Sequence, residues 1–257
     1  MQRYSYHSVE LVRILWRGPR QVMLEYRYLD SAPSLSPGQF ILFWVPGSEA
    51  IPLTPLYSDA SRLVLLVVER GPTTARLVSS PPRHAGVIAV LGRRFTYRGD
   101  EMVFLAGGVG VAAVAMAARE AAQSGVRVTV FYGARSAGEL APVEEFLGGA
   151  RVIYATDDGS RGLRGTVLDA LHASGLRVGD VYTVVAGPKP LLCRAYSEAA
   201  EAGQLERLAL SIETMVRCGL GFCGSCTIPC TGMLLCRDGP VVPAVRLGCW
   251  VVRECQN

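Results

Sequence analysis

The sequence predicts a multidomain chain of β and α/β build. An antiparallel β-barrel is expected over residues 1–98, a doubly wound parallel α/β unit over 99–210 and a small cysteine-rich segment over 211–257. Three observations predict this. Before Gly99 the apolar runs are short and broken by Gly and Pro, as in a small barrel. From Glu101 strand-like runs alternate with helix-like ones, which calls for a parallel sheet. After residue 211 the cysteines crowd: Cys218, Cys223 and Cys226 form C-x4-C-x2-C, and Cys236 follows ten residues on.

The barrel strands are read at HSVELVRIL, QVMLEYRYL, QFILFWVP, RLVLLVVER and HAGVIAVLG, with turns at GPR, SPGQ and PGSE and nothing helical of length before Gly99. EMVFLAG then reads as a buried strand, and the alanine-rich run 111–123 as a helix stopped by Ser124–Gly125. RVTVFYGAR, RVIYATDDG and YTVVAGP are three more strands; GTVLDALHASG and PLLCRAYSEAAEAG are helices.

Composition narrows the function classes. Half of the residues are hydrophobic and 19% are charged, enough for a packed core throughout, which argues against disorder. The formal charge is only +4 and no basic run exceeds two residues, which argues against nucleic acid. Runs such as LVLLVV at 63–68 are too short to span a bilayer. The opening MQRYSYHSVE is polar and reads as no export signal, so eight cysteines are expected in a reducing cytoplasm, at a metal centre rather than in disulfides. Lys189 is the only lysine and Asn257 the only asparagine, which a GC-rich genome explains.

Three thiolates in nine residues with a fourth downstream is the plant-type ferredoxin arrangement for a [2Fe–2S] cluster. Gly219, Gly221 and Gly224 allow the loop to curl and aim N–H groups at the sulfurs. A structural zinc site is the alternative, disfavoured by the x4 spacing and the glycines. Cys230 is a rival fourth ligand; Cys236 is favoured because residues 231–235 can turn and return as a short strand. Cys193, Cys249 and Cys255 read as buried apolar side chains. His7, His84 and His172 show no partners in sequence, and no Ser-His-Asp or paired-carboxylate arrangement is seen.

AGGVGVAA at 106–113 is a strand-to-helix glycine turn, an anion seat in which Gly108 and Gly110 satisfy the dinucleotide fingerprint. The acidic residue expected about twenty positions on is absent: that strand ends Gly133–Ala134–Arg135, which leaves NAD against NADP open. TDDGS at 156–160 and AGP at 186–188 end strands, where ligands gather in open α/β sheets; Asp157, Gly187 and Pro188 are the candidates, with a plain turn as the bland reading of the first.

CGLGFCGSC followed by CRDGPVV resembles the cluster-binding end of the electron-transfer subunits of class 1B dihydroorotate dehydrogenases, which are ferredoxin reductase-like flavoproteins. The resemblance extends through the chain. It implies FAD on the barrel, NAD on the parallel unit and a [2Fe–2S] cluster on Cys218, Cys223, Cys226 and Cys236. PGQF at 37–40 resembles the family's strand opening, and IPLTP at 51–55 falls where the family carries its flavin signature, so Pro52, Leu53 and Thr54 are flavin candidates. The family arginine there is Ile51 in this chain, with Arg62 or Arg76 as a substitute. Val67 and Val68 join the set. So does the GPTTARL turn with Thr73 and Thr74, which resembles the family's diphosphate turn. LGRRF at 91–95 resembles the motif closing the flavin domain; its Arg93 and Arg94 are solvated charges or face phosphate or a partner. AGP replaces a family CGP beside the nicotinamide, and Glu213 and Met215 match a family SLE-x-x-M segment as a flavin or linker contact.

The function so implied is an NAD-linked flavin oxidoreductase subunit. It would move electrons between NAD and the FMN of a catalytic dihydroorotate dehydrogenase subunit in pyrimidine biosynthesis, in a heterotetramer whose interface includes Leu220 and Phe222. The alternatives are the small flavin subunit of an NADH-dependent ferredoxin NADP oxidoreductase, a sulfhydrogenase or hydrogenase diaphorase subunit, or, in another class, a zinc-stabilised assembly module.

Overall fold

The computed structural model describes residues 5–255; the first four residues of the polar opening read above lie outside them. The antiparallel half comprises β1 (His7–Gly18), β2 (Gln21–Tyr28), β3 (Phe40–Trp44), β4 (Ile51–Leu53), β5 (Pro55–Ser58), β6 (Arg62–Val68) and β7 (His84–Leu91), with α1 (Pro72–Ser79) between the last two. Their order across the sheet is β4-β3-β7-β1-β2-β6-β5. Its two edges, β4 and β5, are separated in sequence by Thr54 alone, so the sheet must curl until its edges meet. Thr54 is the seam of the barrel.

The parallel half comprises β8 (Glu101–Gly107), α2 (Val111–Gln123), β9 (Arg127–Ala134), β10 (Arg151–Thr156), β11 (Leu163–Arg164), α3 (Val167–Ala173), β12 (Tyr182–Ala186), α4 (Lys189–Glu201) and β13 (Leu208–Ser211). The C-terminal segment adds α5 (Leu235–Asp238), β14 (Val241–Pro243) and α6 (Gly248–Cys255). The sheet order is β11-β10-β9-β8-β12-β13-β14, parallel except for β14, which pairs antiparallel with β13.

The continuous apolar run of β6 follows from the pleat. Successive side chains point to opposite faces; Leu63, Leu65 and Val67 enter the barrel core, while Val64 and Leu66 pack outward with Met23 and Leu56 against α2. Helix α2 is rich in alanine because it is covered on two sides, by the parallel sheet and by the barrel, and only small side chains permit both approaches. Strand β3 divides in the same way: Ile41 and Phe43 fill the barrel, and Phe40 and Leu42 join a core shared with Cys226, Ile228 and Cys236 of the C-terminal segment.

Four expectations need correction. A helix does precede Gly99: Pro at the first helical position and the Thr74 hydroxyl, which accepts from the Arg70 and Gly71 N–H groups at 2.8 and 2.9 Å, start α1 where a bare turn was expected. Residues 231–235 do not return as a strand; one antiparallel bridge joins Thr227 to Leu234, and the chain then enters the single turn of α5. Strands β4, β5, β13 and β14 and helix α6 were not foreseen, the strands being too short to show a period. The remaining cysteines are neither solitary apolar side chains nor reduced thiols, against the expectation of a metal centre rather than disulfides: bridges join Cys193 to Cys255 and Cys230 to Cys249, tying α6 to α4 at one end and to the cysteine loop at the other.

Candidate functional site

Two cavities lie at the carboxyl ends of the parallel strands and against the barrel. The first, of about 470 Å³, is walled by Pro52, Leu53 and Thr54 at the seam, by Val67 and Val68 at the end of β6, and by Thr73 and Thr74 at the start of α1. The second, of about 420 Å³, is walled by Gly108 and Gly110, by Asp157, and by Gly187 and Pro188. All twelve non-cysteine candidates therefore fall on one or other wall. Val68, Arg70, Val109, Gly110 and Glu213 line both cavities, so the two share a wall.

The glycine turn shows why these residues stand there. A Cβ on Gly110 would sit 2.5 Å from the Ala186 carbonyl oxygen, so only glycine lets the start of α2 lie against the end of β12. Gly108 has φ +55, and a Cβ built on it would meet nothing within 4 Å. That side of the turn is open, and the helix N-terminus behind it offers free N–H groups and a positive dipole end to a diphosphate. The N-terminus of α1 faces the first cavity, with no acidic side chain in its first turn.

Sequence reasoning missed three residues on these walls. Arg70 lines both cavities, whereas neither proposed substitute lines either. Arg62 is held by Glu25 at 2.8 Å, and Arg76 donates to the Pro46 carbonyl at 2.6 Å. The position of Arg70 immediately before the GPTT turn was the available signal. Glu139, carried one turn beyond β9 and paired with Arg135, is an acidic residue on the second wall. Gln21 of β2 also lines the second cavity and had no signal in sequence. LGRRF is hydrogen-bonded to the cysteine segment: Gly92 N–H donates to the Cys236 carbonyl and Arg93 N–H to the Gly239 carbonyl, both at 2.7 Å, while Arg94 pairs with Glu120. His172 does have a partner, Glu198 at 2.9 Å, and His7 Nδ1 meets the Ser31 carbonyl oxygen.

Cys218, Cys223, Cys226 and Cys236 are free of disulfides. Gly219, Gly221 and Gly224 all take positive φ, near 65, 73 and 74°. The curl they permit brings the thiols together in pairs: Cys223 is hydrogen-bonded to Cys218, and Cys236 to Cys226. Backbone N–H groups point at sulfur, that of Leu220 at Cys218 at 3.3 Å, those of Ser225 and Cys218 at Cys223, and that of Gly221 at Cys236. The Ser225 hydroxyl and N–H pull the Cys223 thiol down to about 6, which favours the thiolate a metal needs. Burial and the neighbouring Cys226 push Cys236 up to about 12. Among the described residues no three His, Cys, Asp or Glu side chains close around a single ion. Two thiol pairs rather than one tight foursome are what a two-iron cluster requires, since its cysteines divide between the irons. The residues present fit that group.

Among the described residues no helix is long and apolar enough to cross a membrane. Residues 213–248 match the family model described as the iron–sulfur cluster binding domain of dihydroorotate dehydrogenase B. The probable dihydroorotate dehydrogenase B (NAD(+)), electron transfer subunit, of Archaeoglobus fulgidus is 38% identical over 214 residues, covering 82% of this chain and 87% of that protein. Its counterpart in Methanocella arvoryzae is 31% identical over 207 residues, covering 80% and 78%. Among solved structures, that of an NADH-dependent reduced ferredoxin-NADP oxidoreductase superposes with a TM-score of 0.80 at 23% identity, covering 97% of this chain and 93% of that one. A ferredoxin reductase of carbazole 1,9a-dioxygenase gives 0.68 at 17% identity, covering 80% and 68%. The ferredoxin reductase-like fold and the cysteine segment thus come together with close sequence relatives, and the chain belongs to the family of dihydroorotate dehydrogenase B (NAD(+)) electron transfer subunits.

Proposed function

We propose that this chain carries electrons between NAD and a catalytic dihydroorotate dehydrogenase subunit, with FAD in the first cavity, the nicotinamide dinucleotide in the second, and a [2Fe–2S] cluster on Cys218, Cys223, Cys226 and Cys236. The observation that carries this reading is adjacency. The second cavity shares a wall with the first, and the first is walled by Thr214, Val216, Leu235 and Pro240, which bracket the four cysteines in the chain. Bound FAD supplies the exchange between an electron pair and single electrons that joins a hydride donor to an iron–sulfur cluster.

The chain's own residues supply placement. Gly108 and the start of α2 seat the dinucleotide diphosphate, and Gly187 and Pro188 bound its nicotinamide end. Thr54 at the seam orients the flavin ring. Arg70 and the N-terminus of α1 take the flavin diphosphate, the work of the family arginine that Ile51 replaces. The N–H groups aimed at the four sulfurs hold the thiolates and help set the potential. Leu220 and Phe222 stand 59% and 91% exposed beside the cysteines, where electrons must leave. They are the proposed contact for the partner, an FMN-bearing catalytic subunit in a two-fold heterotetramer. A cytoplasmic setting completes the proposal.

The test is reconstitution with the catalytic subunit. Dihydroorotate should reduce NAD only when both subunits are present, and absence of that turnover in the intact complex removes dihydroorotate from the reading. Ferredoxin-dependent turnover in its place would favour the ferredoxin NADP oxidoreductase alternative. Phe222→Glu should weaken assembly about tenfold or more, as loss of a buried aromatic anchor does, with the visible spectrum and NADH–dye reduction intact. Unimpaired dihydroorotate turnover in that variant would take Phe222 out of the interface.

A further inference from the structure

Four of the eight cysteines have no part in electron transfer as proposed, and one pair of them is joined to the iron site. Residues 226–235 double back on themselves. Leu235 N–H donates to the Cys226 carbonyl at 2.9 Å and Ile228 N–H to the Met233 carbonyl at 2.8 Å, while Thr227 pairs with Leu234. Cys230 stands at the tip of this small hairpin, and its bridge to Cys249 fastens the tip to α6. The base of the hairpin carries Cys226 and leads into Cys236, the two thiols that are hydrogen-bonded to each other. Whatever holds the tip therefore helps to hold one of the two thiol pairs.

The two bridges differ in how they can be reached. Cys230 and Cys249 are both exposed, whereas Cys193 and Cys255 are half-buried. Exchange requires a thiolate to meet a bridge sulfur, so exposed bridges are the labile ones. The backbone at the tip is also held against its preference. Cys230 has φ +64, a region that only Arg20 shares among the described residues other than glycine. A residue with a Cβ stays there only while its surroundings impose it. Helix α6 has holds of its own on α4. Trp250 and Val251 share a core with Leu192 and Ala195, Lys189 pairs with Glu254 at 2.7 Å, and Cys193 is bridged to Cys255. Opening Cys230–Cys249 thus leaves α6 in place and frees the hairpin tip alone.

We infer that Cys230–Cys249 is a thiol–disulfide exchange site for dithiol reductants, and that opening it loosens the hold of the hairpin on iron. The loosening rests on the iron reading of Cys218, Cys223, Cys226 and Cys236; the exchange itself does not. One thiolate of the dithiol attacks a bridge sulfur, the Cys230–Cys249 bond breaks and a mixed disulfide forms. The second thiolate of the reductant then displaces the protein sulfur. The dithiol leaves as a disulfide, and its two electrons and two protons remain on Cys230 and Cys249 as thiols. Ile228, Met233 and Leu235 keep the base of the hairpin packed in the shared core, so the opened form is a looser loop and not an unfolded one. In the proposed cytoplasmic setting dithiols are the ordinary reductants, and the bridge couples their poise to the iron centre.

The test uses the full chain loaded with flavin and iron, with and without dithiothreitol, in the absence of air. Alkylation followed by mass spectrometry reads which cysteines have opened, and a coloured iron chelator reads the rate at which iron leaves. Label should appear at Cys230 and Cys249 before Cys193 and Cys255. Dithiothreitol should speed iron loss from the wild type about tenfold, as when a local tie against opening is removed. Cys249→Ser and Cys230→Ser should both lose iron at the fast rate without dithiothreitol and gain nothing from it. Cys193→Ser should stay slow until dithiothreitol is added. NADH–dye reduction should be the same in all of them, since none of these cysteines lines either of the two cavities. Label arriving first at Cys193 and Cys255 overturns the exchange site. Slow iron loss from both Cys249→Ser and Cys230→Ser, or equal acceleration of these variants and the wild type by dithiothreitol, overturns the hold on iron. Loss of NADH–dye reduction in them would make the bridge a prop of the whole fold and refute a local device. A wild type that takes up no iron overturns the iron reading itself, and the order of labelling still decides the exchange site.

Discussion

The turn Gly107–Gly110 and the loop Cys218–Cys226 both depend on glycine in left-handed conformation, and their surroundings differ in kind. The turn is fixed from both sides, by β8 before it and α2 after it, and packs on the end of β12. The loop lies between β13 and α5 with no helix or strand of its own, much of it exposed, and most of its hydrogen bonds to sulfur come from within the segment. The turn is shaped by packing that exists without ligand. The loop is shaped for what it holds, so its order should depend on being filled.

The largest expected effect breaks this comparison at the loop. Chelating iron should strip hydrogen-exchange protection from residues 217–234 while β8, β9 and β12 keep theirs. Cys236→Ser should abolish the visible absorption of the cluster. Cys230→Ser should keep it, at a stability cost of about 3 kcal/mol for the lost bridge to Cys249. Iron retained in the first variant and lost in the second would exchange the fourth ligand. Protection lost equally across the parallel sheet on chelation would erase the difference between the two regions.

The next effect separates two glycines of one turn. Gly110→Ala should destabilise the chain by about 2–3 kcal/mol, because the methyl meets the Ala186 carbonyl and neither backbone can yield. Gly108→Asp should cost little stability, since aspartate tolerates the left-handed region and the space beside it is open. It should nevertheless abolish NADH–dye reduction by placing charge where the diphosphate sits. A similar fall in Tm for both would mean that Gly108 is a packing glycine too.

The same contrast explains how far the sequence could be read. The parallel half was legible because its elements are long and periodic; α2 was expected over 111–123 and spans Val111–Gln123. The cysteine spacing was legible because a cluster dictates it. Short elements were not: β4 and β14 have three residues each, too few to show alternation, and both owe their existence to the partner strand. The pairings Cys193–Cys255 and Cys230–Cys249 were hidden for another reason, since partners 62 and 19 residues apart meet only once α6 has docked. Within the cavities the motif-bearing residues were found. Arg70, Glu139 and Gln21 were not, because no motif holds them; the fold brings them in from a flanking residue, a following turn and the other half of the molecule.

The smallest effect asks whether the two regions unfold independently. Helix α3 begins at the second cavity with a capping box: the Thr166 hydroxyl accepts from Asp169 N–H at 3.3 Å, and Asp169 Oδ2 accepts from Thr166 N–H at 2.7 Å. Thr166→Ala should cost about 1 kcal/mol. The Thr166 hydroxyl and N–H hold the Asp169 carboxyl below its ordinary pKa, so the folded value lies under the unfolded one. The stabilisation is therefore complete above the unfolded value of about 3.9 and is lost as pH falls through the folded one. The Tm gap between wild type and Asp169→Asn should be steady from pH 7 to about 5 and close in more acid solution; a gap that widens toward acid would have the opposite sign and refute the cap. Independence is the sharper question, because Val167, Leu168 and Leu171 of α3 share a core with Cys226 and Cys236. If packing alone fixes this half, the cap should be worth the same with iron present or chelated. A cap whose worth vanishes on chelation would show that the cluster holds the shared core together, and that the parallel sheet too is partly shaped by what the loop carries.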